Sequence, residues 1–186
     1  MSYEQIPGYS GFLPVYDQAV EEARDGAIFV EVGVALGHSI AYLARRVIDS
    51  GKRIAIYAVD PWAGEGRNGE QQQLADQEGG DFLLFLKMMT QHAPEELTRI
   101  NVLRCTSAQA SLMFAPRSVD MVLIDGPHDR ASVLSDIHLW RPKMREWSLL
   151  AGDDHEPNYP GVESACLTAF GPAGYEVRGT SWVLRC

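Results

Sequence analysis

Apolar positions along the chain follow two rhythms. Short unbroken runs have the length and β-branched content of strands buried on both faces: "AIFVEVG" (27–33), "RIAIYAVD" (53–60), "INVLRC" (100–105), "VDMVLID" (119–125) and "SLLAGDD" (148–154). Between these runs, apolar residues recur every three or four positions. Ile40, Leu43, Ala44, Val47 and Ile48 form one helical stripe, stopped by Gly51. Phe82, Phe85, Leu86 and Met89 mark a helix that starts at Asp81, and Ser107 to Phe114 reads as a short one. Val133, Leu134, Ile137 and Trp140 mark a helix ended by Pro142, and Val162, Ala165, Cys166, Ala169 and Phe170 mark another. A first helix is expected over Asp17 to Arg24, entered after Pro14 and closed near Gly26. "GYEVRG" and "SWVLRC" read as a closing strand pair.

Strands alternating with helices predict an α/β fold with an open, mostly parallel sheet covered by helices on both faces. The pattern shows no internal repeat and no domain boundary, so 1–186 is read as one domain, with 1–26 as an N-terminal cap segment. Residues 61–80, "PWAGEGRNGEQQQLADQEGG", are polar, glycine-rich and too long for an ordinary connection, which predicts a lid loop.

Composition changes this picture little. At 186 residues, 46% hydrophobic and 22% charged, the chain is an ordinary globular one. Its 25 acidic against 16 basic residues give a net charge of −9, with no basic run. That argues against a nucleic-acid partner and suits a cationic ligand or a divalent metal. Cys105, Cys166 and Cys186 show neither disulfide nor metal spacing. The N-terminus has no leader pattern, and no window is long enough to span a membrane. The expectation is a cytoplasmic protein with no membrane partner; composition does not reach its oligomeric state.

In open α/β sheets, ligands bind beyond the carboxyl ends of the strands. Four of the expected strands end in acids: Glu31, Asp60, Asp125, and Asp153 with Asp154. "EVGVALGHS" (31–39) is a strand, a glycine turn and a helix start, and such a turn brings backbone N–H groups close to a ligand. Tight strand-to-helix turns also use glycine for their own geometry, so this motif alone specifies no ligand. Asp60 stands where a carboxylate accepts ribose hydroxyls, or it simply starts a turn before Pro61. A nicotinamide cofactor and S-adenosylmethionine both fit this much. Asp125, Asp153 and Asp154 would converge from neighbouring strands, and their mutual repulsion would be relieved by a hard cation such as Mg²⁺. As helix caps or loop acids they would need no ion. Asp153 is the less secure ligand, because side chains alternate across a strand.

Taken together, "FVEVGVALGHSIAYLA", "AVDPW", "VDMVLIDGPH" and "LLAGDDHE…PGVESAC" resemble the class I S-adenosylmethionine-dependent methyltransferases. The subgroup they are most similar to comprises metal-dependent O-methyltransferases acting on sugar or other small-molecule hydroxyls. The resemblance runs from about residue 27 to 186 and departs at Ala35, where many relatives have glycine. It implies a Rossmann-like sheet with a C-terminal antiparallel strand pair. It further implies that Glu31, Gly33 and Gly37, with Ser39 at the helix start, line the methionine end of S-adenosyl-L-methionine. Asp60 would take the ribose and Thr106 and Ser107 the adenine, while Trp62 packs over adenine or anchors its loop. Asp125, Asp153 and Asp154 would hold Mg²⁺ or another divalent cation, with Asp125 also next to the cofactor. His128, three residues after Asp125, would be the general base for a hydroxylated small-molecule substrate. Outside that set, Asp129 reads as a helix N-cap, His38 beside the glycine turn as a solvated cap or a cofactor contact, and His92 and His138 as ordinary surface or packing residues. His155 is a possible substrate contact and Cys166 a core residue.

Two other functions share these residues. A nicotinamide-dependent oxidoreductase would leave the acid trio unexplained, and a non-catalytic S-adenosylmethionine-binding domain would not need His128.

Overall fold

The computed structural model describes residues 2–9, 11–64 and 69–186. Its centre is a seven-stranded sheet. The strands are β1 (Ala27–Val32), β2 (Ile54–Val59), β3 (Ile100–Leu103), β4 (Val119–Ile124), β5 (Met144–Gly152), β6 (Glu176–Arg178) and β7 (Ser181–Arg185), in the order β3-β2-β1-β4-β5-β7-β6. The first five run parallel, and β7 runs antiparallel to both β5 and β6. The helices are α1 (Leu13–Glu22), α2 (His38–Ser50), α3 (Gly69–Glu78), α4 (Asp81–His92), α5 (Pro94–Leu97), α6 (Ser107–Ser111), α7 (Arg130–Trp140) and α8 (Pro160–Phe170).

Alternation along each strand feeds two apolar layers. Phe29, Ile56, Met121 and Leu123 pack with α1, α2 and α4, while Val30, Val122, Ile124 and Leu150 pack with α7 and α8. This two-sided burial makes the central strands read as continuous apolar runs.

The parallel register levels the strand ends. Val32 pairs with Val59 and Ile124, Val59 with Leu103, and Ile124 with Gly152. One residue further on, Gly33, Asp60, Asp125 and Asp153 each still donate a backbone N–H to a neighbouring strand's carbonyl. The acids therefore emerge in one row along one edge, where the reversal of strand order between β1 and β4 opens a crevice.

Three boundaries differ from expectation. Pro14 lies inside the first turn of α1, where its missing N–H removes no helical hydrogen bond. Strand β1 runs one residue past Glu31, which is therefore an interior strand residue. Residues 61–80 are not a single loop, because 69–78 form α3. The glutamine-rich run there consists of straight-chain helix formers, and Ala75 is fully buried. Residues 65–68 of the expected lid lie outside the described residues.

Candidate active site

The crevice is a cavity of about 940 Å³, at the upper end of the roughly 300–1,000 Å³ of small-molecule sites. One wall is the turn between β1 and α2. At Gly33, φ is +85° and an added Cβ would stand 2.0 Å from the Asp125 carbonyl oxygen. At Gly37, φ is +96° and a Cβ would stand 2.6 Å from Met89 Sδ. Both positions need glycine on conformation and on space. Ala35 occupies the left-handed region at φ +47° without that freedom.

Asp60 holds this turn. Its Oδ2 accepts from the backbone N–H groups of Val34 (2.9 Å) and Ala35 (3.0 Å), and its Oδ1 accepts from Trp62 N–H (2.6 Å). Three of roughly four carboxylate acceptor sites are thus taken, leaving one for a hydroxyl. Trp62 is buried against Phe82 and Phe85 and donates its indole N–H to the Ala35 carbonyl at 2.9 Å. It anchors the loop while still lining the cavity.

Glu31 departs from its expected place. It is fully buried behind the wall and does not line the cavity. Its carboxyl lies between Tyr16, whose hydroxyl donates at 2.5 Å, and Ser39, whose hydroxyl donates at 2.6 Å. Burial pushes Glu31 up to about 8 against the pull of these two hydrogen bonds, and Asp125 and Asp60 add to the rise. Gly33, Gly37 and Ser39 do line the cavity, so Glu31 reaches it only through Ser39.

At the opposite end Thr106 caps α6, its side chain and that of Gln109 forming a reciprocal capping box. Thr106 and Ser107 line the cavity, and Ser107 Oγ accepts from Trp140 Nε1 at 2.9 Å. Beside them Asp136 of α7 is a buried acid; burial raises its pKa and its hydrogen bond with Ser107 opposes the rise. The sequence reading passed over Asp136. Its signal was a charge inside the stripe Val133, Ile137, Trp140.

Asp125, His128 and Asp154 come together at the end of β4. His128 Nε2 lies 2.7 Å from Asp154 Oδ2 and 3.7 Å from Asp125 Oδ1. Among the described residues, this is the one set whose potential ligand atoms all lie within 4.8 Å of one another. Burial pushes Asp125 up to about 6, opposed by His128 and reinforced by Asp153 and Asp154. The two carboxylates beside it, Asp125 and then Asp154, hold His128 up at about 10. The Tyr159 ring lies 4.5 Å from the imidazole, a neighbour that sequence reading did not find.

Asp153 does not join this group. β5 ends at Gly152, yet the Asp153 N–H still bonds to the Ile124 carbonyl as a strand residue's does. There it is buried and accepts from Thr180 Oγ1 at 2.7 Å and Ser181 Oγ at 3.4 Å. Asp154, at φ +58°, turns back toward His128.

The remaining candidates have ordinary places. His38 is no solvated cap: its Nδ1 is 2.8 Å from the Ile6 carbonyl, pinning the N-terminal segment whose Pro7, Gly8 and Tyr9 line the cavity. His155 pairs with Tyr175 outside the cavity, His92 with Gln5, and His138 is exposed. Asp129 caps α7 through Ala131 and Ser132 N–H, and Cys166 is core. Among the described residues, no helix is long and apolar enough to cross a membrane.

Comparison with known proteins adds independent findings. No curated protein matches the sequence. Among solved structures the fold is similar to CalS11, a TDP-rhamnose 3'-O-methyltransferase of calicheamicin biosynthesis. The identity is 16%, the match covers 93% of this chain and 76% of that one, and the TM-score is 0.67. It is also similar to the O-methyltransferase NovP (15% identity, 93% and 78% covered, TM-score 0.63). A putative rRNA methylase from Clostridium thermocellum shares the fold to a comparable degree (10%, 95% and 96%, TM-score 0.60). Likeness at these identities establishes the fold and leaves the acceptor open. A family model described as a methyltransferase domain matches residues 30–155, the span from β1 through the acids after β5. This chain belongs to that methyltransferase family, with S-adenosylmethionine as its methyl donor.

Proposed function

We propose that this protein transfers a methyl group from S-adenosylmethionine to a hydroxyl of a small molecule, with a divalent cation beside the donor. One observation carries the reading. The glycine turn at Gly33 is in backbone contact with Asp125, so the glycine turn, Asp125 and His128 line one cavity, with Asp154 beside His128.

The residues assign themselves along the cavity. The Gly33–Gly37 turn and Ser39 take the methionine part, Asp60 one ribose hydroxyl, and Thr106 and Ser107 the adenine edge. Trp62 and the segment around Tyr9 exclude water. The donor set fits a cation, because Asp125 and Asp154 supply oxygens and His128 Nε2 is a buried polar atom with no hydrogen-bond partner. A cation there would lower the acceptor hydroxyl's pKa and fix its direction. Two uses of His128 Nε2 compete, receiving the hydroxyl proton or joining the carboxylates around the cation.

The acceptor is proposed to be a small hydroxylated molecule, in keeping with the O-methyltransferase activities of CalS11 and NovP and with the acidic net charge. The nicotinamide reading falls with the family match.

The test incubates the protein with S-adenosylmethionine, a divalent cation and a panel of hydroxylated small molecules, and follows S-adenosylhomocysteine by mass spectrometry. Turnover should stop on chelation. Asp154→Ala should lose at least ~10²-fold in rate while binding S-adenosylhomocysteine with unchanged affinity. Turnover that survives both treatments contradicts the role of the metal. Binding without turnover on any acceptor favours a non-catalytic domain.

A further inference from the structure

We propose that Asp136 decides which base the methyl donor can carry, by accepting the exocyclic amino group of adenine and turning away a base with an oxygen in that place. The inference rests on S-adenosylmethionine as the donor and adds a residue that reads its base.

Asp136 stands apart from the other buried acids. Glu31 is held by two hydroxyl donors, Glu96 by the Arg45 guanidinium, and Asp153 by the hydroxyls of Thr180 and Ser181. Asp136 is only 8% exposed, yet it has a single hydroxyl partner in Ser107 and, among the described residues, no ion-pair partner. The Ser107 oxygen accepts from Trp140 Nε1 at 2.9 Å, so the hydroxyl's own proton is the one turned to the carboxylate. That takes one of roughly four acceptor positions. A carboxylate this deep is costly unless further donors reach it, and it lines the cavity from which they can come.

Its position selects the part of the donor it meets. Among the described residues, Asp136 Oδ2 is the one atom beyond the chain neighbours that lies within 4 Å of a Cβ placed on Gly126, at 3.8 Å. The carboxylate therefore projects from α7 toward the loop after β4, with Ser107, Ala108 and Leu139 lining the cavity alongside it. Ser107 follows β3, Asp60 follows β2 and the glycine turn follows β1, and these strands lie side by side in the order β3-β2-β1. A donor with its methionine on the turn and its ribose on Asp60 brings its base to Asp136.

Chemistry then fixes the contact. Adenine joined to ribose has N–H bonds only on its exocyclic amino group, and an ionised carboxylate can only accept. Hypoxanthine has an oxygen at that place, so its lone pairs would face those of Asp136. A site built around a hydrogen bond rejects an analogue lacking the group more strongly than a pocket of matching shape does.

Calorimetry on the full-length protein compares S-adenosylhomocysteine with S-inosylhomocysteine, for the wild type and Asp136→Asn. The wild type should bind the adenine form roughly 10–100-fold more tightly. In Asp136→Asn the amide keeps an oxygen for Ser107 and turns its N–H groups to the cavity, where they suit the hypoxanthine oxygen. The preference should shrink at least ~10-fold or reverse. A residue that only held Ser107 and α6 would weaken both ligands alike on substitution, so an unchanged ratio in the variant overturns the inference. A second measurement needs no variant. With ¹⁵N at the exocyclic amino group of S-adenosylhomocysteine, the bound amino protons should exchange slowly with water and show a nuclear Overhauser contact to the Asp136 β-protons. Exchange as fast as in the free ligand overturns the inference even if Asp136→Asn misfolds. Failure of the wild type to bind S-adenosylhomocysteine would defeat the donor itself, whereas binding with an unchanged ratio defeats only the role of Asp136.

Discussion

Glu31 shows how far a residue's neighbours can move it from the role its motif suggests. In sequence it is an acid ahead of a glycine turn; in the fold it is a strand residue whose side chain points into the layer under α1 and α2. Burial holds its carboxyl up at about 8, against the pull of the two hydroxyl donors. In the unfolded chain it ionises near 4.5. Between these values the folded protein keeps a proton that the unfolded chain has lost. Its stabilising contribution is therefore complete below pH 4.5 and fades as pH rises through 8. Glu31→Gln keeps an acceptor for Tyr16 and turns an amide N–H toward the Ser39 oxygen, without an ionisable proton. The two proteins should melt within a few degrees of each other at pH 5, and the variant should melt higher at pH 9. Parallel melting curves across that range would mean that Glu31 is ionised in the fold.

At the scale of elements, the β1–α2 turn couples cofactor and metal residues through contact. Asp60 fixes the turn from β2, and Gly33 rests on the carbonyl of Asp125 at the end of β4. A methyl at Gly33 must displace that carbonyl and also adopt positive φ, at a combined cost of about 2–5 kcal/mol. Gly33→Ala should therefore lower the melting temperature and weaken binding of both S-adenosylhomocysteine and the cation. Ala35→Gly, in the same turn but already left-handed, should melt at or above the wild type. If Gly33→Ala weakened cofactor binding but left cation binding intact, the two halves of the site would be independent.

For the molecule as a whole, the sheet was legible because burial on both faces leaves strands as plain apolar runs, and because glycine and proline mark their ends. The row of strand-end acids was legible for the same reason, since parallel register converts sequence position into spatial level. The assignment of Asp153 and Asp154 was not. A period of two says that they diverge, but only the left-handed turn at Asp154 says which one reaches the site. Helix α3 was hidden by the glycines flanking a run of good helix formers. The partnership of Tyr16, Ser39 and Glu31, and the N-terminal segment pinned by His38, join residues far apart in sequence and leave no periodic trace.

In the proposed reaction the cation sits beside the transferable methyl. S-adenosylmethionine carrying a ¹³C-labelled methyl, bound to the Mn²⁺-loaded protein, reports this directly by nuclear magnetic resonance. The bound methyl signal should be broadened severely in the wild type and return sharp in Asp154→Ala. A sharp bound signal in the Mn²⁺-loaded wild type would place the ion away from the donor and contradict the account.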